Sequence, residues 1–277
     1  MANASAPESV EVVRRDIRFD LDTADLRSWH PEGLHVAHFF NALSVFFPEG
    51  EKFFIDSVRH YRDRIDSPAL VRDVKGFVGQ EAMHSREHRR YNAALERIGL
   101  PIAELDGRVK AHLEAVCERT SPQEQLAVTI ALEHFTAIMA HALLTEKEPM
   151  AGAPRDVVKL WQWHAIEEIE HKSVAYDTYV FATRNLSAFR RWAIRANVML
   201  IISFQFWRSV LRHMGDFFRQ DGINTPRTWW RVCKFLLVKP GMLRRVFLSY
   251  MSYYRPGFHP WLHDDRELIA KVERELL

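Results

Sequence analysis

Two short motifs in this sequence combine a glutamate with a histidine three residues later. The first is Glu81-Ala-Met-His84, and the second is Glu168-Ile-Glu-His171. Residues three apart lie on the same face of an α-helix, so each motif can direct one carboxylate and one imidazole at a single point. Carboxylates and imidazoles together suit iron or manganese better than a thiolate-selected zinc site. The two motifs therefore predict a metal site formed between two helices.

Two further glutamates complete an arrangement that helical bundles use to hold two metal ions. In such bundles, two helices supply one inward Glu each, and two others supply Glu-x-x-His each. Glu51 is in phase with the apolar Ile55 and Val58, whereas Glu49 is in phase with polar residues, so we choose Glu51. Glu133 lies in an apolar stretch, where an uncompensated carboxylate is costly to bury. The predicted ligands of a dinuclear site are Glu51, Glu81, His84, Glu133, Glu168 and His171.

Two histidines next to these motifs are candidate catalytic residues. His88 follows His84 by one turn, and His164 precedes Glu168 by one turn. We interpret either as a proton relay at the edge of the site. Each could instead be an additional ligand or a core histidine bonded to a carboxylate, and Glu167 remains open as a replacement for Glu168. We interpret His134 and His141 as core histidines rather than site residues. For Tyr91, Trp161, Trp163 and Tyr176 we expect aromatic packing, with electron transfer as the alternative.

The segments that carry these residues have the pattern of long helices. Gly (11) and Pro (12) are both sparse, which favours helices over a turn-rich β fold. Ser121-Pro122-Gln123-Glu124 is a helix-start signal. An apolar helix over 35–47 should end at Pro48-Glu49-Gly50, before a second helix. The further helices are predicted at Glu51–Ile65, Leu70–Ile98, Ile102–Arg119, Pro122–Thr145 and Arg155–Thr183, with a loop at Lys147–Pro154. The expected fold is all-α, a four-helix bundle with additional C-terminal helices.

Three regions are expected along the chain. Residues 1–34 form an N-terminal arm, in which Val10–Leu21 alternates like a strand, and Met1–Val13 lacks the apolar segment of a secretory signal. Residues 35–183 form the bundle with the metal site. Residues 184–277 form basic, aromatic-rich helices that pack on the bundle or on a membrane surface. The two cysteines, Cys117 and Cys233, are far apart and predict neither a disulfide framework nor a metal site.

Charge is distributed unevenly along the chain. Residues 184–255 contain 14 Lys and Arg against two acidic residues, a balance of +12, so the remainder carries −10 of the formal net charge of +2. Interleaved aromatic and basic residues favour contact with an anionic membrane surface, with ordinary helix cover as the alternative. The uncharged run Ala196–Trp207 is 12 residues long, too short for the roughly 20 that span a bilayer. We find no nucleic-acid-binding motif.

Three strings of the sequence resemble the bacterial family of predicted metal-dependent hydrolases, over roughly residues 15–250. They are Phe47-Pro-Glu-Gly-Glu51-Lys-Phe-Phe54, Gly79-Gln-Glu81-Ala-Met-His84-Ser-Arg-Glu-His88 and Trp163-His-Ala-Ile-Glu-Glu168-Ile-Glu-His171. The resemblance implies a metal-binding helical protein of the ferritin-like superfamily. In the radical-generating subunit of ribonucleotide reductase, a tyrosine lies four residues after the first motif histidine. Here that position is His88, which excludes a stable tyrosyl radical there.

These observations favour a dinuclear centre, with two iron ions or manganese, that activates dioxygen to oxidise an apolar or amphipathic small molecule. The alternatives are a metal-dependent hydrolase that uses a metal-bound water, and a non-catalytic metal-binding protein associated with a membrane. We expect a cytoplasmic protein, with a peripheral position at the inner membrane as the alternative. A homodimer remains open.

Overall fold

The computed structural model describes residues 10–21, 24–146 and 148–276, and all regular elements within them are helical. The all-α fold is therefore confirmed. The strand-like arm predicted at Val10–Leu21 is wrong, because these residues form no regular secondary structure. Residues 1–9, where most of the predicted signal-free N-terminus falls, and Lys147 of the predicted loop lie outside the described residues.

Ten α-helices follow one another along the described chain, and short helical turns connect some of them. The turns lie at Glu148–Met150, Lys234–Val238 and Pro260–Leu262. The helices are α1 (Leu34–Arg62), α2 (Pro68–Arg97), α3 (Ile102–Arg119), α4 (Pro122–Thr145), α5 (Arg155–His171), α6 (Val174–Ala182), α7 (Ala188–Gln220), α8 (Pro226–Cys233), α9 (Met242–Ser252) and α10 (Arg266–Leu276). Serine caps followed by proline begin α2 and α4, as the sequence predicts for α4.

Helix α1 runs without interruption through Pro48, so the predicted break there is wrong. A proline inside a helix has no N–H to donate to the carbonyl four residues earlier. Here that carbonyl belongs to Ser44, and the side-chain amide of Asn92 on α2 donates to it over 3.0 Å. The missing backbone donor is thus replaced from a neighbouring helix. As a result, Glu51 lies in the middle of a long helix rather than at the start of a short one.

The helix predicted over Arg155–Thr183 is divided into α5 and α6 by Lys172 and Ser173. The Lys172 side chain is buried at this point. Its ammonium donates to the Asp265 carboxylate over 2.5 Å and to the His263 carbonyl over 2.6 Å. The division therefore coincides with an anchoring contact to the C-terminal segment, and it leaves His171 as the last residue of α5.

The four helices that carry the predicted ligands, α1, α2, α4 and α5, pack against one another. Helix α1 lies along α2 and α4 along α5, and the two pairs meet through α1 with α4 and α2 with α5. The arm formed by residues 10–21 covers the outside of α2. Gln80 donates to the Val13 carbonyl over 2.9 Å, and Arg86 donates to the Ile17 carbonyl over 2.7 Å. A close approach of the Val12 side chain and carbonyl to Gly76 explains the glycine at that position.

The C-terminal helices cover the remaining sides, with α7 against α1 and α4, α9 against α4, and α10 against α5. Their outer faces carry large apolar side chains that are exposed, including Phe204 at 72% and Leu248 at 79% exposure. The others in this region are Phe189, Leu200, Ile201, Leu211, Trp230, Leu237, Val238, Phe247 and Met251. Within the described chain, only α4 is long and apolar enough to cross a membrane, and 78% of its most apolar window is buried inside the protein.

Candidate metal centre

The six predicted ligands lie together in the interior, and each is at most 2% exposed. Helix α1 supplies Glu51 and α4 supplies Glu133, while α2 and α5 supply one Glu-x-x-His motif each. Five of them, together with His164, form two groups, and the candidate ligand atoms within each group lie within 4.8 Å of one another. One group is Glu51, His84 and His164, and the other is Glu81, Glu168 and His171. Glu133 adjoins the second group, with its Oε2 3.5 Å from Nε2 of His171.

Many buried polar atoms of these groups have no hydrogen-bond partner within the described protein. A buried carboxylate oxygen or imidazole nitrogen without a partner costs several kcal/mol in an apolar interior. The atoms without a partner are Oε1 of Glu51, both oxygens of Glu81 and Glu133, both ring nitrogens of His84, Oε2 of Glu168 and of the neighbouring Glu167, and Nε2 of His171. Such atoms converge on a shared space, and a pair of divalent cations would satisfy them. The residues present therefore fit a dinuclear metal site.

The pKa values of the site residues also support a site for cations. Burial raises the pKa of Glu51 and Glu81 well above the usual value, and neighbouring carboxylates add to this. Burial also raises the pKa of Glu133 to about 8. Although burial lowers the pKa of His171, the carboxylates of Glu133 and Glu168 overcome it and raise the pKa to about 9. Without cations, the cluster thus takes up protons to limit its negative charge.

Glu168 and Glu167 are adjacent in sequence, and the structure separates their positions. Glu168 faces both histidines of the motifs, with Oε1 3.6 Å from Nδ1 of His84 and Oε2 3.6 Å from Nε2 of His171. Oε1 of Glu167 accepts hydrogen bonds from the Trp163 indole and from the backbone of Arg15, and its Oε2 lies 3.0 Å from Nε2 of His84. Glu168 is therefore the better ligand candidate, and Glu167 fixes the surroundings of His84.

His171 is oriented by Gln80, a residue that no sequence pattern marks as part of the site. Gln80 donates its amide N–H groups to the Val13 carbonyl and to Glu170, so its Oε1 is left as an acceptor. Nδ1 of His171 lies 2.9 Å from this oxygen and must donate to it. In the neutral imidazole, Nε2 then presents a lone pair to the carboxylates, which is the form that binds a metal.

A similar chain of hydrogen bonds orients His164. Because the Asn92 amide donates to the Ser44 carbonyl, Asn92 Oδ1 accepts from the Ser44 hydroxyl over 2.8 Å. Ser44 Oγ must then accept from Nδ1 of His88, 2.8 Å away. Burial holds the pKa of His88 well below its usual value, so His88 is neutral and its Nε2 accepts from Nδ1 of His164 over 2.7 Å.

These hydrogen bonds determine the state of the other ring nitrogen of His164, Nε2. Its Nε2 lies 2.8 Å from Oε1 of Glu168 and 3.9 Å from Oε1 of Glu51. If Nδ1 carries the proton, a lone pair on Nε2 faces a carboxylate oxygen, and a cation or a second proton must lie between them. The hydrogen-bond directions thus allow His164 to act as an additional metal ligand, with His88 as the residue that orients it. A role as proton relay remains a prediction for both residues.

Other outer contacts were not foreseen from the sequence. Ser85 donates to Oε2 of Glu51 over 2.8 Å, and Arg15 of the arm donates to both oxygens of Glu170. No sequence pattern marks these residues, because their partners lie on other helices. His134 and His141 lie outside the site, near the Ser249 carbonyl and the Asp265 carboxylate respectively. His134 is buried as a core histidine should be, whereas the His141 side chain is 49% exposed, so the expectation of a core position is wrong for His141.

A cavity of about 270 Å³ leads from the site to the surface. Its inner end is formed by the buried Glu51, His164 and Glu168, and its outer end by the exposed Arg208 and Arg212. Its walls are mostly apolar and include Phe46, Phe47, Phe54, Leu113, Leu132, Phe135 and Phe206. Glu81 and His171 do not line it. A small molecule in this cavity would therefore reach the Glu51 side of the site.

Fold and site together define an all-helical protein with two candidate metal-binding groups in its core. The chain belongs to the family described as predicted metal-dependent hydrolases, whose model matches residues 13–264. The resemblance seen in the three sequence strings is thereby confirmed at the level of this family, while the ferritin-like superfamily remains a prediction. No curated protein matches the chain. No solved structure matches it either.

Proposed function

We propose that this protein is a dinuclear metal-dependent enzyme, and that hydrolysis is the reaction to which its family membership points first. The observation that carries the proposal is the convergence of buried, unpartnered carboxylate and imidazole atoms into two neighbouring groups. The proposed ligands are Glu51, Glu81, His84, Glu133, Glu168 and His171, with His164 as a seventh. Two divalent cations held there would polarise a substrate bond and lower the pKa of a bound water.

The chain's own residues would position these ligands and control access to them. Gln80 and His88 fix the orientation of His171 and His164 through their hydrogen bonds. Ser85 holds one oxygen of Glu51, leaving the other oxygen free to bind. The apolar walls of the cavity exclude bulk water and admit an apolar part of a substrate.

Oxidation by dioxygen is the second candidate, and one observation favours it. The cavity brings mostly apolar walls directly to Glu51 and Glu168, with few polar groups to hold a scissile polar bond. Carboxylate and imidazole ligands also suit iron or manganese. In this reading, the centre would supply electrons to dioxygen, and the cavity would hold an apolar chain beside it.

One experiment separates these possibilities. The purified protein is analysed for metal content, and its activity on a panel of aliphatic carboxylic and phosphoric esters is measured with and without oxygen. Turnover that is independent of oxygen and lost after chelation supports hydrolysis. Oxygen consumption by the reduced protein supports oxidation. Two bound metals without either activity would indicate a non-catalytic metal-binding protein, and a protein that binds no metal under any condition would refute the proposal.

We also propose that the outer faces of α7 and α9 contact an anionic membrane surface. They combine exposed apolar side chains with the basic block of residues 184–255, which carries a balance of +12. Positive charge next to exposed apolar groups is complementary to an anionic lipid interface.

A further inference from the structure

The outer end of the cavity carries two arginines without acidic partners. Arg208 and Arg212 lie four residues apart on α7 and are both exposed. Neither guanidinium forms an ion pair within residues 10–21, 24–146 and 148–276, and the nearby Asp216 is paired with Arg108 and Arg219 instead. Arg108, which lines the same cavity, differs because it pairs with Asp216 and Glu104. Two guanidinium groups are therefore available to a ligand at this position.

The charge along the cavity is separated. Among the residues that line it, the only acidic side chains are Glu51 and Glu168, at the buried inner end. Between these and the arginines the walls are mostly apolar. Guanidinium groups bind carboxylates and phosphates through paired hydrogen bonds. An anionic group would thus be attracted to the arginines at the outer end, while the apolar walls beyond them would accept an uncharged, apolar part.

We propose that the cavity binds a small amphiphile whose single carboxylate or phosphate lies at Arg208 and Arg212 and whose apolar chain extends toward Glu51 and His164. The inference rests on the proposed function, because it treats the cavity as the substrate site of the metal centre. The volume of about 270 Å³ is near the lower end of the range for ligand pockets, roughly 300–1,000 Å³, and restricts the chain to a modest length.

Gly50 offers a way to block this cavity with little disturbance of the fold. It lies next to Glu51 on α1 and lines the cavity, and a Cβ built on it meets no atom within 4 Å. A leucine there would occupy the cavity and is a better helix former than glycine. Gly107 on α3 is a matched control, since its Cβ would also meet nothing within 4 Å, but it is exposed and outside the cavity.

The test is calorimetric binding of decanoate, decyl phosphate and decanol to the full-length, metal-loaded protein. We expect both anions to bind about tenfold or more tightly than decanol, as hydrogen bonds to charged groups predict. The variant Arg208→Gln/Arg212→Gln should lose this preference and keep decanol binding. The control Arg190→Gln/Arg227→Gln removes two exposed charges outside the cavity and should leave the preference intact. The two anions distinguish a carboxylate from a phosphate ligand.

Blocking gives the second arm of the test. Gly50→Leu should abolish binding of all three probes, whereas Gly107→Leu should bind them like the wild type, with both variants folded by circular dichroism. Equal binding of anions and decanol, or unchanged binding in Gly50→Leu, would overturn the inference. Metal content measured on the same preparations separates it from the proposed function. If the protein takes up no metal but binds the three probes with the expected pattern, the proposed metal-dependent function is refuted and the proposed ligand site is supported.

Discussion

Nε2 of His88 and Nδ1 of His164 lie 2.7 Å apart, in a hydrogen bond that is entirely buried. It is the middle link of a chain of hydrogen bonds that begins at Ser44, continues through His88 and His164, and ends at Glu168. It determines which nitrogen of His164 faces the carboxylates. His88 itself does not line the cavity, so its influence on a reaction would pass through His164.

We therefore expect His88→Ala to retain both metals but to change turnover. Without His88, the ring of His164 loses its orienting partner, and such partners typically affect affinity or activity by ten- to a hundredfold. His164→Ala should instead lose metal from the Glu51 group. Elemental analysis of both variants, with activity measured in parallel, tests the difference. Loss of one metal in His88→Ala would make His88 a ligand.

Metal content should depend on Glu133. Both oxygens of Glu133 lack hydrogen-bond partners within the described protein, so Glu133→Gln removes a carboxylate that is free to bind a cation. We expect the variant to bind at most one metal per chain where the wild type binds about two. Glu87→Gln is the control, since the Glu87 carboxylate is also buried but is paired with Arg86 and Arg90. Full metal content in Glu133→Gln would contradict the assignment.

The stability of α1 should depend on Asn92 because of Pro48. Asn92→Ala removes the side-chain donor to the buried Ser44 carbonyl and the acceptor of the Ser44 hydroxyl, which should cost about 1–3 kcal/mol. Pro48→Ala restores a backbone N–H that can reach the same carbonyl. In that background, the cost of Asn92→Ala should fall by about 1 kcal/mol. Urea unfolding of the four proteins measures the coupling, and strictly additive effects would contradict the compensation.

Stability should decline in mild acid because of His213. Burial lowers its pKa to about 4, although Asp216 opposes this, while Arg108 and Arg212 add to it. In the unfolded state the histidine has a pKa of about 6.5 and binds the proton first as the pH falls. The free energy of unfolding therefore decreases between pH 6.5 and 4. At pH 4.5 this amounts to about 2–3 kcal/mol, at 1.36 kcal/mol for each pKa unit.

The ring of His213 stacks on Phe46 with centroids 4.7 Å apart, so His213→Phe preserves the packing and removes the titration. We expect this variant to lose correspondingly less stability between pH 7 and pH 4.5 in urea unfolding. His60→Phe, at an exposed position on α1, should behave like the wild type. Identical pH dependence in His213→Phe and the wild type would show that His213 is not responsible.

Contact with a membrane predicts sedimentation with vesicles that contain anionic lipid and much less with neutral ones. Each basic residue near such a surface adds on the order of 1 kcal/mol. Binding should weaken with salt, since the Debye length falls from about 10 Å at 0.1 M to about 3 Å at 1 M. Phe204→Glu/Leu248→Glu should reduce it strongly. Leu262→Glu, an exposed leucine beyond the basic block, should not, and binding that ignores lipid charge would refute the proposal.

The sequence predicted the helical class and the residues that converge in the core, because helical spacing is a local property. It failed at Pro48, where local chemistry ends a helix, because the Ser44 carbonyl that Pro48 leaves unpaired receives a hydrogen bond from Asn92, 48 residues further along the chain. The orientation of His164 was equally hidden, since it depends on Ser44 and Asn92 on two other helices. Patterns within one helix indicate which side chains share a face. They do not indicate which donors a neighbouring helix brings.

The concentration of basic residues in 184–255 has a consequence for how the protein adsorbs. A formal net charge of +2 would suggest indifference to charged media, yet it is the sum of +12 in this block and −10 in the rest of the chain. A charged resin responds to the nearest patch, because salt screens the more distant charges. At neutral pH and low ionic strength, both cation and anion exchangers should therefore retain the protein. Each would hold it through a different set of charges.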